Sequence, residues 1–198
     1  LAMHSGRLSL KSISTISDDV AKVLGHHDGE FDVSGLVHMT PTSAAYLAKS
    51  KYKLRLESLE HVSVEVAEAL SQHTGDGIVL NGVKHLEVEA SKALSKYVGP
   101  ISLGIEKIDN EQAMNFSLHQ NQLGLDFITE LTSDAAKHLA NHKQLISMVS
   151  LNVVSADVAH QLANHPGPLR INLEKLPEEV AEILREAFPQ RMGVELRR

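Results

Sequence analysis

The chain has 198 residues, of which 42% are hydrophobic and 22% are charged, a balance typical of folded chains and not of disordered ones. Its formal net charge is −6, with acidic and basic residues interleaved, so neither nucleic acid nor an anionic membrane surface is an expected partner. The absence of cysteine excludes disulfides and thiolate metal sites, and no apolar run approaches the roughly 20 residues of a membrane span.

Two apolar residues separated by one residue recur along the whole chain. The first of each pair falls in one column, which reads Leu8, Phe31, Leu54, Ile78, Ile101, Leu123, Ile146 and Leu169. Successive members are 22 to 24 residues apart. Apolar residues at period two lie on one face of a strand, so each pair predicts a short strand. Eight copies at one period predict a single-domain α/β solenoid over residues 1–198, because one strand and one helix cannot bury their own apolar faces.

An amphipathic helix is predicted after each strand, and its start is set by a recurring N-cap position. That column reads Ser17, Thr40, Ser63, Glu87, Asp109, Thr132, Ser155 and Pro177. A small residue follows four positions later: Ala21, Ala44, Ala67, Ser91, Ala113, Ala136, Ala159 and Ala181. Small residues at every level predict close packing of the helices on the sheet. The units of Leu103 and Ile171 lack one residue between strand and cap, which predicts a tightened turn there.

These columns together resemble the leucine-rich repeat family, in a bacterial variant written L-x-L-x-x-L-x-x-L-[ST]-x-[DE]-x-A-x-x-L. The resemblance covers residues 8–188. It implies a right-handed coil with a parallel sheet on the concave side, helices outside, and binding on the concave face or its rims. The family commonly has asparagine three positions after the second strand residue. Here that column is apolar and reads Ile13, Leu36, Leu59, Val83, Ile128 and Leu151.

Both ends of the chain carry expectations about assembly. Residues Val194, Glu195 and Leu196 resemble the start of a ninth strand. No polar cap precedes the first strand, so its open edge predicts either self-association or further repeats upstream in a longer protein. The chain does not begin with Met and its first residues do not form a signal peptide, so we also expect a piece of a longer protein.

The histidines fall mainly into two columns. The first, three positions after the helix leucine, reads His27, His73, His119, His142 and His165, with Ser50 and Tyr97 at two further levels. Side chains at this place cap free carbonyl groups at helix ends, so we interpret the column as structural. The second column, His38, His61 and His85, lies at three consecutive strand-to-helix turns, about 5 Å apart. It is the weak candidate for a metal site, and the simpler interpretation is a set of solvent-facing turn residues.

The sequence constrains function less than fold. No Ser/His/Asp set, glycine-rich phosphate loop or pair of buried carboxylates is evident, so we expect no enzyme activity and no cofactor. Charge on the predicted sheet clusters around Asp32, Arg55 and Glu57, and with His61 and Asn81 these form the predicted partner-binding centre. The leading hypothesis is a non-catalytic module that binds or scaffolds a protein partner. The alternatives are a structural repeat segment of a larger protein and, more weakly, metal binding by the second histidine column.

Overall fold

The structure, a computed structural model, describes residues 6–188 and contains eight strand–helix units. The strands are β1 (Leu8–Ser9), β2 (Phe31–Asp32), β3 (Leu54–Arg55), β4 (Ile78–Leu80), β5 (Ile101–Leu103), β6 (Leu123–Gly124), β7 (Ile146–Ser147) and β8 (Leu169–Arg170). The helices are α1 (Asp18–Gly25), α2 (Pro41–Leu47), α3 (Val64–Ser71), α4 (Val88–Leu94), α5 (Asn110–Ser117), α6 (Ser133–Leu139), α7 (Ala156–Ala163) and α8 (Glu178–Ala187). Each strand begins at the residue that the apolar column predicts. The predicted ninth strand lies outside the described residues.

Every helix begins directly after its predicted cap residue. Six of the caps accept a hydrogen bond from the third helical residue, as Ser63 does from the backbone N–H of Val66 at 3.3 Å. Asp109 and Gln112 form a reciprocal capping box, in which each side chain bonds the other's backbone N–H. The cap residues therefore fix where each helix starts relative to its strand.

The strands pair in parallel, each with the next in sequence, but they form two sheets. β1 and β2 make a two-stranded sheet, and β3 to β8 make a six-stranded sheet. Across the seam between β2 and β3, the described chain forms no strand-to-strand hydrogen bonds, and the backbone N–H of Ser58 instead bonds the carbonyl of Ser34 at 3.0 Å. The α/β solenoid is confirmed, and the seam is a feature that the repeat pattern did not indicate.

The hydrophobic core lies between the sheets and the helices. Residues of the strand columns such as Leu54 and Leu56 are fully buried there. All eight members of the small-residue column are also fully buried. Only a short side chain fits where a helix backbone lies close to the strand layer, so the predicted helix orientation is confirmed.

The two short units keep the fold by tightening one turn. In the unit of Leu103, Ile105 is buried one position earlier than the equivalent apolar residue of other units. In the last unit, Leu173 is buried in the same way, and Leu173–Lys175 forms a 3₁₀ helix. In both units the buried turn residue stands two positions after the strand residue, where other units have three, and this accounts for the missing residue.

Candidate functional site

Three rows of side chains cover the outward side of the two sheets, because each strand offers every second residue to one face. The middle row reads Ser9, Asp32, Arg55, Val79, Ser102, Gly124, Ser147 and Arg170. The row after it reads Lys11, Ser34, Glu57, Asn81, Gly104, Asp126, Val149 and Asn172. The row before it reads Arg7, Glu30, Lys53, Gly77, Pro100, Gln122, Leu145 and Pro168. We call this surface the sheet face.

Charge on the sheet face is concentrated at the seam between the two sheets. A cavity of about 300 Å³ opens there and is lined by Arg7, Glu30, Phe31, Asp32, Lys53, Arg55 and Asp76. Three cations and three carboxylates thus surround one opening. Sequence reasoning found Asp32 and Arg55 but missed the row before the strands. Extending the period-two alternation by one residue towards the N-terminus of each strand would have found Arg7, Glu30 and Lys53.

Asp32 is the most buried of the five residues in the predicted partner-binding centre, since its side chain is only 5% exposed. Its carboxylate accepts the backbone N–H of Ser34 at 3.1 Å and lies 3.5 Å from the ammonium of Lys11. Burial alone would raise the pKa of Asp32, but the bonds from Ser34 and the charge of Lys11 outweigh it and lower the pKa. Asp32 is therefore ionised and engaged with partners of its own.

Arg55 and Glu57 are the accessible members of the predicted centre. The Nη1 of Arg55 lies 3.1 Å from Oε1 of Glu57, and the two side chains are 45% and 42% exposed. An ion pair that is this exposed adds only about 0–1 kcal/mol to stability. Both side chains are thus free to exchange this contact for one with a partner.

The remaining two predicted residues lie apart from the seam. His61 is exposed in the turn after β3 and is not among the residues that line the seam cavity. The Oδ1 of Asn81 accepts a hydrogen bond from the hydroxyl of Ser102 at 2.8 Å, on the six-stranded sheet. The structure therefore brings together three of the five predicted residues, namely Asp32, Arg55 and Glu57.

The sheet face from β4 to β8 is smoother than the seam. A shallow cavity of about 180 Å³ runs over Ser102, Gly124 and Ser147, with Lys53 and Arg170 also in its lining. The hydroxyl of Ser147 donates to Asp126 at 2.5 Å, so it is held in place by its neighbour. Within residues 6–188, neither Lys53 nor Arg170 forms an ion pair.

The weak metal candidate, His38, His61 and His85, consists of three exposed turn residues. Over the described chain, no group of three or more His, Cys, Asp or Glu side chains is placed to hold a metal ion. The column therefore has the position that sequence predicts, without the convergence that a metal site needs.

The other histidine column is buried in the turns from helix to strand. His73, Tyr97, His119, His142 and His165 stack in succession, with ring centroids 5.8 to 6.4 Å apart. All five rings are at most 3% exposed. We call this side of the solenoid the ladder edge. The opposite turns, from strand to helix, contain the buried apolar column that includes Leu36, Leu59, Val83, Ile128 and Leu151, and we call that side the apolar edge.

Most ladder side chains bond backbone carbonyls of the unit before their own, while His142 bonds Gln144 in its own turn. The Nδ1 of His73 lies 3.0 Å from the carbonyl of Ala48, at the end of α2. The hydroxyl of Tyr97 donates to the carbonyl of Gly75 at 3.0 Å, and Nε2 of His27 lies 2.9 Å from the carbonyl of Gly6. The predicted capping of carbonyls is present, but it acts between units.

Burial determines the charge of the ladder. It lowers the pKa of four buried imidazoles. These are His73, His119, His142 and His165. Burial also raises the pKa of Tyr97 to about 12, so its hydroxyl keeps the proton that it donates. At neutral pH these five rings are uncharged, and their contribution is hydrogen bonding and ring packing, not attraction between a cation and a helix dipole.

Comparison with known proteins adds no identity. No protein-family model matches the chain, and no curated protein matches it significantly. Among the described helices, none is both long enough and apolar enough to cross a membrane.

Proposed function

We propose that the chain is a leucine-rich repeat module that binds a protein partner through the sheet face and catalyses no reaction. The observation that carries this proposal is the exposed Arg55–Glu57 pair at the mouth of the seam. Arginine is over-represented among interface residues whose truncation costs 2 kcal/mol or more, in part because its planar group donates several hydrogen bonds at once.

The surroundings of Arg55 support the same surface. The seam cavity offers groups of both signs around a depression, and its carboxylate Asp32 is already held by Lys11 and Ser34. A partner would therefore displace water from Arg55, Glu57 and Lys53 without disrupting the strands. The backbone beneath these side chains is held in strands, so binding would order the side chains but not the chain itself, and charges of both signs favour specific recognition.

The test begins with capture of partners by the immobilised chain, followed by titration of the captured protein. We expect Arg55→Ala/Glu57→Ala to weaken binding by about thirtyfold or more, since this corresponds to about 2 kcal/mol. The melting temperature should barely change because the pair is exposed. The matched control is Lys92→Glu on α4, another exposed member of an ion pair, 4.0 Å from Glu89.

The control separates the proposal from its alternatives. Loss of binding with Lys92→Glu but not with the Arg55/Glu57 pair would assign the interaction to the helices and contradict the proposal. If the immobilised chain captures no partner, that result favours the alternative of a structural repeat segment. The metal alternative has no arrangement of ligands to support it among residues 6–188.

Self-association through β1 stays a prediction. β1 pairs with β2 through the bonds from Leu8 N–H to Glu30 O and from Leu10 N–H to Asp32 O, both 2.8 Å. No strand among the described residues pairs with its other edge. Sedimentation of the chain over a concentration series measures this directly, and a mass that stays at that of one chain at the highest concentration would contradict the prediction.

A further inference from the structure

The C-terminal half of the ladder edge contains three imidazoles in direct contact. The rings of His119, His142 and His165 stack with centroids 6.1 and 6.2 Å apart and planes inclined by 17°. Tyr97 separates them from His73, the fourth buried histidine of the stack. One edge of the molecule therefore concentrates three buried titratable groups.

The hydrogen bonds of His119 and His165 each use one ring proton. The Nε2 of His165 lies 3.1 Å from the carbonyl of Gln144, and Nδ1 of His119 lies 3.4 Å from the carbonyl of Ser95. A carbonyl only accepts, so these ring nitrogens donate. The Nδ1 of His142 faces both the carbonyl and the N–H of Gln144, at 3.0 and 3.2 Å.

The second nitrogen of each ring has no hydrogen-bond partner. These atoms are Nε2 of His119, Nε2 of His142 and Nδ1 of His165, and all three are buried. A further proton on any of these atoms would add a charge to a buried ring, at an atom that forms no hydrogen bond in the folded chain. Burying such a charge unpaired is costly, so the protonated ring gains by moving into water.

We propose that the ladder edge is an acid-sensitive element: in mild acid the turns after α5, α6 and α7 open, while the sheet and the apolar edge stay folded. The protons come from solvent and bind the unpartnered ring nitrogens as the turns separate. Neighbouring rings reinforce the response, because a charge on His142 opposes a charge on either adjacent ring.

The direction of the pH effect follows from the pKa values of the three rings in the closed turns and in the open turns. Burial lowers the pKa of His119, His142 and His165, and His142 lowers the pKa of the other two further. In an open turn the rings return to a pKa of about 6.5. Above that pH neither state binds protons, so opening does not depend on pH. Below that pH the open state binds more protons than the closed state. The equilibrium constant for opening then rises about tenfold per unit of falling pH for each extra proton.

The charges around the ladder place the sensitive part in the C-terminal half. Asp76 acts on His73 and favours its charged form, which partly offsets burial at that level. At the other end, no carboxylate of residues 6–188 acts on His119, His142 or His165, and His142 disfavours the charged form of the other two. The turns around His119, His142 and His165 should therefore open before the turn of His73.

The experiment is amide hydrogen exchange on the intact chain at about pH 7.5 and about pH 5.5, corrected for the intrinsic pH dependence of exchange. We expect the protection of residues 118–122, 141–145 and 164–168 to fall by about tenfold or more in acid. Residues 128–131 and 151–154, in the apolar-edge turns of the same units, should keep their protection. A nuclear magnetic resonance titration of the imidazoles should give a pKa below 6.5 for the three ladder rings.

Two variants make the test specific. His142→Gln keeps an amide donor but removes the central charge, so the acid response of the neighbouring turns should shrink. The matched control, His38→Asn with His61→Asn and His85→Asn, removes three exposed histidines and should leave the response unchanged. The proposal is overturned if ladder turns keep their protection in acid, or if both edges lose it together. Should His142→Gln fail to fold, the ring titration and exchange of the unaltered chain decide the question.

Discussion

The two edges of this solenoid solve the same packing problem with different chemistry. At the apolar edge, Leu36, Leu59 and Val83 fill the turns by volume and are fully buried. At the ladder edge, rings fill the equivalent space and each also reaches a backbone carbonyl, as Tyr97 does to Gly75 at 3.0 Å. Apolar contact has no preferred direction, whereas a hydrogen bond to a carbonyl of the preceding unit fixes the spacing between neighbouring units.

The difference also relocates a polar ladder. Leucine-rich repeats, which the chain resembles, commonly have asparagine in the strand-to-helix turns, where this chain has leucine, isoleucine or valine. Here the polar ladder lies in the helix-to-strand turns and consists of imidazoles and one phenol. Buried backbone carbonyls need donors wherever a turn is enclosed. The ladder edge therefore carries the ring-to-carbonyl bonds and the sensitivity to pH, whereas backbone bonds such as that from Ser58 N–H to the Ser34 carbonyl join the units at the apolar edge.

The largest effect is expected from the apolar edge. Leu59 is fully buried, so Leu59→Ala removes three carbon atoms from the packed turn and leaves a cavity. We expect the free energy of unfolding to fall by about 2–5 kcal/mol. Denaturant unfolding measures it, and Leu118→Ala is the matched control because Leu118 is 70% exposed. If the Leu59 variant lost no more than the Leu118 variant, the apolar edge would not be a packed core.

The next largest loss of stability is expected from a substitution that crowds Tyr97 at the ladder edge. A Cβ added at Gly99 would collide with the hydroxyl of Tyr97 and lie 2.6 Å from its Cζ. Because that ring is stacked and buried, it has no room to turn away, and Gly99→Ala should cost about 1–3 kcal/mol. Two positions after the histidine, the equivalent residue is Asn121 or Gln144 at the levels of His119 and His142, and glycine at those of His73 and His165.

A double-mutant cycle isolates this contact. Tyr97→His places the shorter ring in the ladder, so Gly99→Ala should cost much less in that background. The coupling between the two changes should be about 0.5–3 kcal/mol, read from unfolding free energies of the four chains. Strictly additive effects would mean that the ring at position 97 does not interact with the side chain added at position 99, contrary to the packing described above.

A smaller effect tests the hydrogen bond alone. Tyr97→Phe keeps the ring and its stacking with His73 and His119 but removes the donor to the carbonyl of Gly75. We expect a loss of about 0.5–1.5 kcal/mol, the net contribution of one hydrogen bond. Faster amide exchange should appear in the turn around Gly75. An unchanged stability and exchange pattern would reduce the ladder to ring packing.

The sequence predicts the repeat well because its rules are local. Strand starts follow from alternation over a few residues, and helix starts follow from one cap side chain such as Ser63. It also predicts the column of His119 but not its burial or neutral charge, which depend on rings from adjacent units. The seam escapes prediction for a related reason: the strand residues of β2 and β3 fit the repeat, and only their missing hydrogen bonds set them apart.

The smallest effect is expected from the histidines that lie at the apolar edge but point into solvent. His38, His61 and His85 are exposed, and the described residues hold no group of side chains that could bind a metal ion with them. Replacing all three with Asn should therefore change the free energy of unfolding by no more than about 0.5 kcal/mol. Zinc should not raise the melting temperature of the unaltered chain or of the triple variant, since a ligand stabilises a protein only by binding its folded state. A zinc-dependent rise in melting temperature that disappears in the triple variant would show that these turns move together to bind metal. The apolar edge would then have a metal-binding function that its buried apolar residues do not indicate.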